Sequence, residues 1–394
     1  MSVHFFETLR RCQGPRLVFP LVLAFSSVVA HAAALEPAAK APFRGQPNLT
    51  LPAVSEATGL NVADLNGDGS PDIVLLSGET ASVSILLAQA GSEFTVSKPI
   101  EVPAGASASG LALGDLNEDG KIDIAVSHHD TDEIWIFFGQ GDGTFAAPDK
   151  VRVPVTKAHC HAIVAADFNR DRHLDLVLAE SSDNCVWVLL GDGKGKFVRA
   201  PDSPISTDRH PYVVAVADLD GDQNPDIVTP NWFGKSVGVL LGDGKGRFHA
   251  APASPFHGPK DPTALAAGDL TGDGNPDLVV GNNGSRGLQL FIGDGKGSFR
   301  AGAELKPAEA CYGPTIADLN GDGKLDVIST STGDARTLSY WINRGGGEFS
   351  PAFSVPCPNG ANTLCVADIN SDQLPDLLVG PEERGPVLVW LGQK

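Results

Sequence analysis

Asp64–Asp72 reads DLNGDGSPD. Side-chain oxygens stand at its first, third, fifth and ninth places, on Asp64, Asn66, Asp68 and Asp72, with a flexible Gly69 at the sixth. Carboxylates held a few ångströms apart repel by roughly 4 kcal/mol per pair at an intermediate dielectric, so the cluster makes sense only around a cation. Every donor is oxygen, which suits Ca2+ better than zinc or copper. An EF-hand would place a bidentate Glu at the twelfth position between two helices, but that position is Leu75 and the flanks read as strand. The loop therefore joins two strands.

The same loop recurs six more times. DLNEDGKID supplies Asp115, Asn117, Asp119 and Asp123; DFNRDRHLD supplies Asp167, Asn169, Asp171 and Asp175; DLDGDQNPD supplies Asp218, Asp220, Asp222 and Asp226. DLTGDGNPD follows with Asp269, Thr271, Asp273 and Asp277, DLNGDGKLD with Asp318, Asn320, Asp322 and Asp326, and DINSDQLPD with Asp368, Asn370, Asp372 and Asp376. Successive first aspartates are 51, 52, 51, 51, 49 and 50 residues apart, a period of propellers, solenoids or arrays.

Each period carries four strand signals. In the second copy they are Leu111–Leu113, Ile122–Val126, Ile134–Phe138 and Thr144–Val153, the last two separated by a glycine-rich turn. Related turns stand at Gly191–Phe197, Gly242–Phe248 and Gly293–Phe299; no helix signal follows them, so they are hairpins rather than phosphate cradles. The first two strands are apolar almost without alternation, as in Leu176-Val177-Leu178, which means that both sheet faces are covered. The expected fold is all-β, a seven-bladed β-propeller of four-stranded blades. The last copy stops before its fourth strand, and Phe43–Pro52 matches the fourth-strand pattern of Phe145–Pro154, so an N-terminal strand should latch the ring.

Ahead of this unit, Arg10, Arg11 and Arg16 precede an apolar run from Leu17 to Ala30 and a small-x-small Ala30-His31-Ala32. Residues 1–32 read as a signal peptide, 33–42 as a linker and 43–394 as the propeller, in a secreted or periplasmic protein with no membrane insertion. The net charge of −19 argues against nucleic acid or an anionic membrane as partner. The seven loops hold 22 aspartates at ligand places, and seven Ca2+ ions would reduce the formal charge to −5, so the acidity is mostly a metal requirement.

With these loops and turns in place, the chain resembles the FG-GAP/VCBS repeat family, whose repeats also build the integrin α-subunit propeller. The resemblance covers residues 43–394 and implies up to seven structural Ca2+ ions held by the first, third, fifth and ninth side chains and the seventh carbonyl. Those carbonyls belong to Ser70, Lys121, His173, Asn224, Asn275, Lys324 and Leu374. Arg172, Gln223 and Gln373 replace the sixth-place Gly and Thr271 the third-place amide, so the loops at Asp64, Asp115 and Asp318 should bind most tightly and that at Asp167 least.

Function should lie on the opposite face, where loops enter the first strand and leave the second and where the copies differ most. His128, His129, Asp130, His159, His161, Glu180, His210, Tyr212, Asn231 and Trp232 all fall there, in blades two to four. Aromatic rings beside amides and acids suit a sugar or a protein loop. The leading expectation is a monomeric binding or adhesion module for an extracellular glycan or protein. The alternative is a carbohydrate-active enzyme, a lyase or glycosidase, with Glu180 and Asp183 as a candidate carboxylate pair; a purely structural role is the third class. H-E-x-x-H and C-x-x-C are both absent. The histidines could also be a chance polar rim or a zinc site, although no spacing such as H-x3-H supports the latter. Among the cysteines, Cys365 should be a buried thiol, and Cys160 with Cys185 and Cys311 with Cys357 are candidate disulfides.

Overall fold

The fold is described from a computed structural model over residues 42–43, 45–89, 93–103, 107–155, 158–283, 287–307, 311–331 and 336–393. The leader and all of the expected linker except its last residue lie outside these residues. Among the described residues there is no helix; the chain forms seven antiparallel blades, six with their main strands in sequence order and the seventh completed by an N-terminal strand. Blade two shows the plan, with strands Ala108–Gly114, Asp123–His128, Glu133–Phe137 and Asp149–Arg152. The second strand is buried at every position, as its unbroken apolar run requires of a strand packed on both faces. An extra small hairpin, Asn343–Gly345 with Glu348–Phe349, interrupts blade six before its fourth strand Phe353–Pro356.

Blade seven closes as the sequence implies. Leu49–Val54 pairs antiparallel with Gly385–Trp390, from Leu49 opposite Val389 to Val54 opposite Gly385. Phe43 sits ahead of this strand, 2% exposed, edge-on to the Tyr340 ring of blade six, and its carbonyl accepts the Tyr340 hydroxyl at 3.0 Å. The Trp390 indole N–H donates to the Gly45 carbonyl at 3.2 Å. The latch thus ties blade seven to itself and to its neighbour.

Blades two and three approach closely along their inner strands. A Cβ on Gly110, in the first strand of blade two, would lie 2.6 Å from Ser127 Oγ and 2.8 Å from the His161 carbonyl of blade three. Glycine at 110 is therefore what lets the two inner strands meet, and Ser109 Oγ donates across the seam to the Cys160 carbonyl at 2.7 Å.

The disulfide expectations fail, and strand order says why. Cys160 and Cys185 both face Glu180 in register, one from each side, so two strand spacings of about 4.8 Å separate them, more than the roughly 7 Å that a disulfide can span. Both are buried free thiols. Cys357 is free as well and donates its Sγ–H to the Gly360 carbonyl at 3.1 Å. It follows the outermost strand of blade six whereas Cys311 begins the innermost, so the pair would have to cross the whole sheet. Cys365 is the buried free thiol that its place in a first strand implies.

Candidate functional site: aspartate loops on one face and an aromatic histidine patch on the other

The seven aspartate loops share one internal geometry. The first aspartate accepts the sixth-place N–H on Oδ2 at 2.8–2.9 Å in every copy, from Gly69 to Gln373. The fifth-place carboxylate accepts the seventh N–H in all seven, for example Ser70 to Asp68 at 2.7 Å. The second residue is always a buried apolar anchor: Leu65, Leu116, Phe168, Leu219, Leu270, Leu319 or Ile369. These bonds curl the first, third and fifth side chains toward one another. In the loop at Asp218, carboxylate oxygens of Asp218, Asp220 and Asp222 all lie within 4.8 Å of one another. Oxygens around one Ca2+ at 2.3–2.6 Å are separated by at most about 5 Å, so this donor set fits the ion.

The ninth aspartate does more than the spacing revealed. It is fully buried in every copy. One of its oxygens accepts the second-place N–H and the other an N–H from the end of the third strand, as Asp72 does from Leu65 at 2.9 Å and Ala88 at 2.7 Å. The same clamp recurs at Asp123, Asp175, Asp226, Asp277, Asp326 and Asp376. Burial pushes these carboxyls up, Asp226 and Asp326 to about 7, and the other loop carboxylates add to the rise. The loops also reach the next blade: Gly143, Gly195, Gly246 and Gly297 N–H groups donate to the second-place carbonyls of the preceding copy at 3.0–3.3 Å. Loop order is thereby coupled to the seams between blades.

All seven sixth places have positive φ, including Arg172 at 74°, Gln223 at 66° and Gln373 at 67°. So do all seven fourth places, where Glu118, Arg170 and Ser371 are the non-glycines. The loops free of this strain at both places are those at Asp64, Asp269 and Asp318, and Glu118 removes the loop at Asp115 from the favoured group. Gln223→Gly should stabilise the protein by up to about 1 kcal/mol. For a propeller of this length that corresponds to a rise of about 1–2 °C in a calcium-containing melt; no rise would show that the turn carries no strain.

On the opposite face, loops from blades two, three and four bring seven rings together. His129 follows the second strand of blade two; His159 and His161 enter the first strand of blade three; His210, Tyr212, Trp232 and Phe233 come from the two corresponding loops of blade four. Ring centroids are 4.0 Å apart for His129 and His159, 4.6 Å for His159 and His161, and 4.2 Å for His161 and Tyr212. His210 stacks on Phe233 at 4.3 Å and meets Trp232 at 5.6 Å. His210 adopts φ of 62°, held because Asn184 Oδ1 accepts its N–H at 2.8 Å and its carbonyl accepts the Trp232 N–H at 2.9 Å. Burial lowers its imidazole to about 4, so it is neutral at physiological pH. Asp130 Oδ1 lies 2.8 Å from His129 Nδ1, and that contact, more than any other, holds the Asp130 carboxyl down at about 2.

Seven of the ten residues anticipated for this face thus converge: His129, Asp130, His159, His161, His210, Tyr212 and Trp232. Three serve the scaffold instead. His128 is fully buried at the end of its strand. Glu180 is fully buried and accepts the Ser182 and Asp183 N–H groups at 3.3 and 2.5 Å, closing the turn in which Asp183 itself lies. Asn231 is fully buried and donates to Ser236 Oγ at 3.2 Å. Phe233 was not anticipated; 52% exposed, it is the most accessible ring of the patch, and its place beside Trp232 was the available signal. Among the described residues no helix is long and apolar enough to cross a membrane.

Comparison with known proteins follows the blades. The rat (Rattus norvegicus) T-cell immunomodulatory protein is 24% identical over 301 residues, 68% of this chain and 48% of its own length. Cartilage acidic protein 1 of Xenopus tropicalis is 26% identical over 247 residues, 59% of this chain and 37% of its own. The chain thus spans half or less of these relatives' lengths. An Agrocybe aegerita lectin, solved for specific recognition of non-reducing terminal N-acetylglucosamine, superimposes with a TM-score of 0.57 at 21% identity, covering 78% of this chain and 81% of the lectin. The FG-GAP-like repeat matches residues 64–126, 115–178, 167–229, 232–280, 269–329 and 318–379. The chain belongs to the FG-GAP-like repeat family, as a propeller of seven blades.

Proposed function

We propose that this protein is a secreted, calcium-stabilised binding module that engages an extracellular glycan or protein through the aromatic patch. The observation that carries this reading is the convergence of seven rings from three consecutive blades on the face opposite the aspartate loops. A partly buried tryptophan and an exposed phenylalanine on a rigid scaffold give large contact area at little entropic cost, and ring faces suit the apolar face of a sugar. The family and the relatives above are consistent with a binding role but name no ligand. The enzymatic alternative, an extracellular lyase or glycosidase, loses its carboxylate pair because Glu180 is buried and committed to a turn.

The test is a glycan array and an extracellular-protein array probed with the calcium-loaded protein, followed by substitution of the accessible rings. His161 and Tyr212, at 3% and 2% exposure, are packing residues whose loss would disturb the fold. His210→Ala, Trp232→Ala and Phe233→Ala combined should weaken the identified ligand about 100-fold, three contacts of about 1 kcal/mol each. Phe233→Ala alone, at the most exposed ring, should weaken the ligand while leaving the melting curve in calcium nearly unchanged, which separates lost contact from the core packing that Trp232 also supplies. Equal binding by parent and variant would place the site elsewhere on the ring.

A further inference from the structure

We propose that His129, His159 and His161 form a transition-metal site that holds one Zn2+, with Asp130 as the outer carboxylate that orients His129. Nitrogen atoms of the three imidazoles all lie within 4.8 Å of one another, and His129 Nε2 and His159 Nε2 are 3.1 Å apart. Two nitrogens on one tetrahedral zinc, each about 2.0–2.1 Å from the ion, stand about 3.3 Å apart, so this pair needs to shift by only a few tenths of an ångström.

The tautomers also fit. Asp130 Oδ1 lies 2.8 Å from His129 Nδ1, which fixes the ring proton there and leaves the Nε2 lone pair facing His159. A carboxylate behind a histidine in this manner is the usual outer support of a zinc ligand. Without metal, the 3.1 Å contact is satisfied by a proton from His159 Nε2, so the pocket can alternate between an N–H···N bond and a shared cation.

The sequence carries the signature in a form suited to sheets. His159-x-His161 enters an inner strand, where residues two apart share a face; the strand counterpart of H-x3-H on a helix is H-x-H. The third ligand comes from the neighbouring blade, and Gly110 is what allows the two blades to approach. His159 and His161 are buried at 8% and 3%, whereas His129 is partly exposed, so the fourth coordination place opens toward solvent. Three neutral imidazoles leave the ion its full charge, and that open place takes water or an anionic oxygen such as a carboxylate.

The experiment is a Zn2+ titration by calorimetry in saturating Ca2+, which occupies the oxygen loops, with no glycan or protein ligand present. Its result is therefore independent of whether the binding reading holds. One equivalent of Zn2+ should bind with a Kd tighter than about 10 μM, and Co2+ should give the visible absorption of a tetrahedral nitrogen site. His129→Ala should weaken binding by about 100-fold or more and Asp130→Asn by about 10-fold, the usual effect of losing an outer partner. Because both residues are partly exposed, their calcium-dependent melting should match the parent, which separates lost metal from lost fold. A parent that binds no Zn2+ tighter than the 10 μM threshold, or a His129→Ala protein that binds it as the parent does, would overturn the assignment.

Discussion

EDTA should lower the melting temperature of this protein by on the order of 15 °C or more, and Ca2+ should restore it. The expectation follows from the number of loops. A cation that binds only the folded state at 100 times its Kd contributes about 2.7 kcal/mol per site, so three such sites already match the whole stability of many domains. Loss should also be cooperative, because each of several loops accepts a hydrogen bond from the glycine turn of the next blade. Removing the ion leaves its carboxylates facing one another, and the turn that leans on the loop loses its footing. Asp68→Ala should cost more than Asp171→Ala in calcium, since the loop at Asp64 has glycine at both positive-φ places and the loop at Asp167 has Arg170 and Arg172 there. In EDTA that difference should shrink. A melting curve unchanged by EDTA, together with no calcium by elemental analysis, would refute a structural role for the metal.

The blades were legible because the same nine-residue loop returns at a nearly constant interval, and a repeat that cannot bury its own faces must stack. The ninth aspartate was harder to read. Its ligand-like spacing was visible, but its clamp joins residues 16 apart across a sheet, from Asp123 to Gly139 or Asp175 to Gly191, and only strand order brings these together. The positive φ of the fourth place was obscured for a similar reason. Four glycines there looked like ordinary turn composition beside Glu118, Arg170 and Ser371.

For the patch, loop position within the repeat was enough to gather histidines from three blades onto one face. It was not enough to separate surface from scaffold. His128 and Asn231 lie at or beside accessible residues, His129 and Trp232, yet each is the last residue of its strand and is fully buried. The cysteine pairs failed on the same ground: closeness to one face says nothing about how many strands intervene, and one strand between Cys160 and Cys185 was sufficient to keep them apart. The His159-x-His161 spacing that the proposed zinc site uses did not stand out because the period sought belonged to a helix.

A chain that begins after Val54 should aggregate or melt far below the parent, because it opens the only seam closed by a distant segment among the described blades. The strand Gly385–Trp390 would present its backbone and an apolar row, Val387, Leu388, Val389 and Trp390, all buried in the intact ring. Such an edge is a template for pairing with another chain. The latch also contributes packing of its own. Phe43, Leu51 and Val54 are at most 6% exposed, and truncating a buried Phe alone costs about 3–5 kcal/mol. Phe43→Ala should therefore show a large share of the effect without removing the strand, while Thr50→Ala, on the exposed side, should show almost none. Adding a peptide of residues 42–54 in trans should restore much of the lost melting temperature by donating the missing strand. If the truncated protein stays monomeric by size-exclusion chromatography and melts within about 2 °C of the parent, the closing strand is dispensable and the ring is held by its blade-to-blade contacts alone.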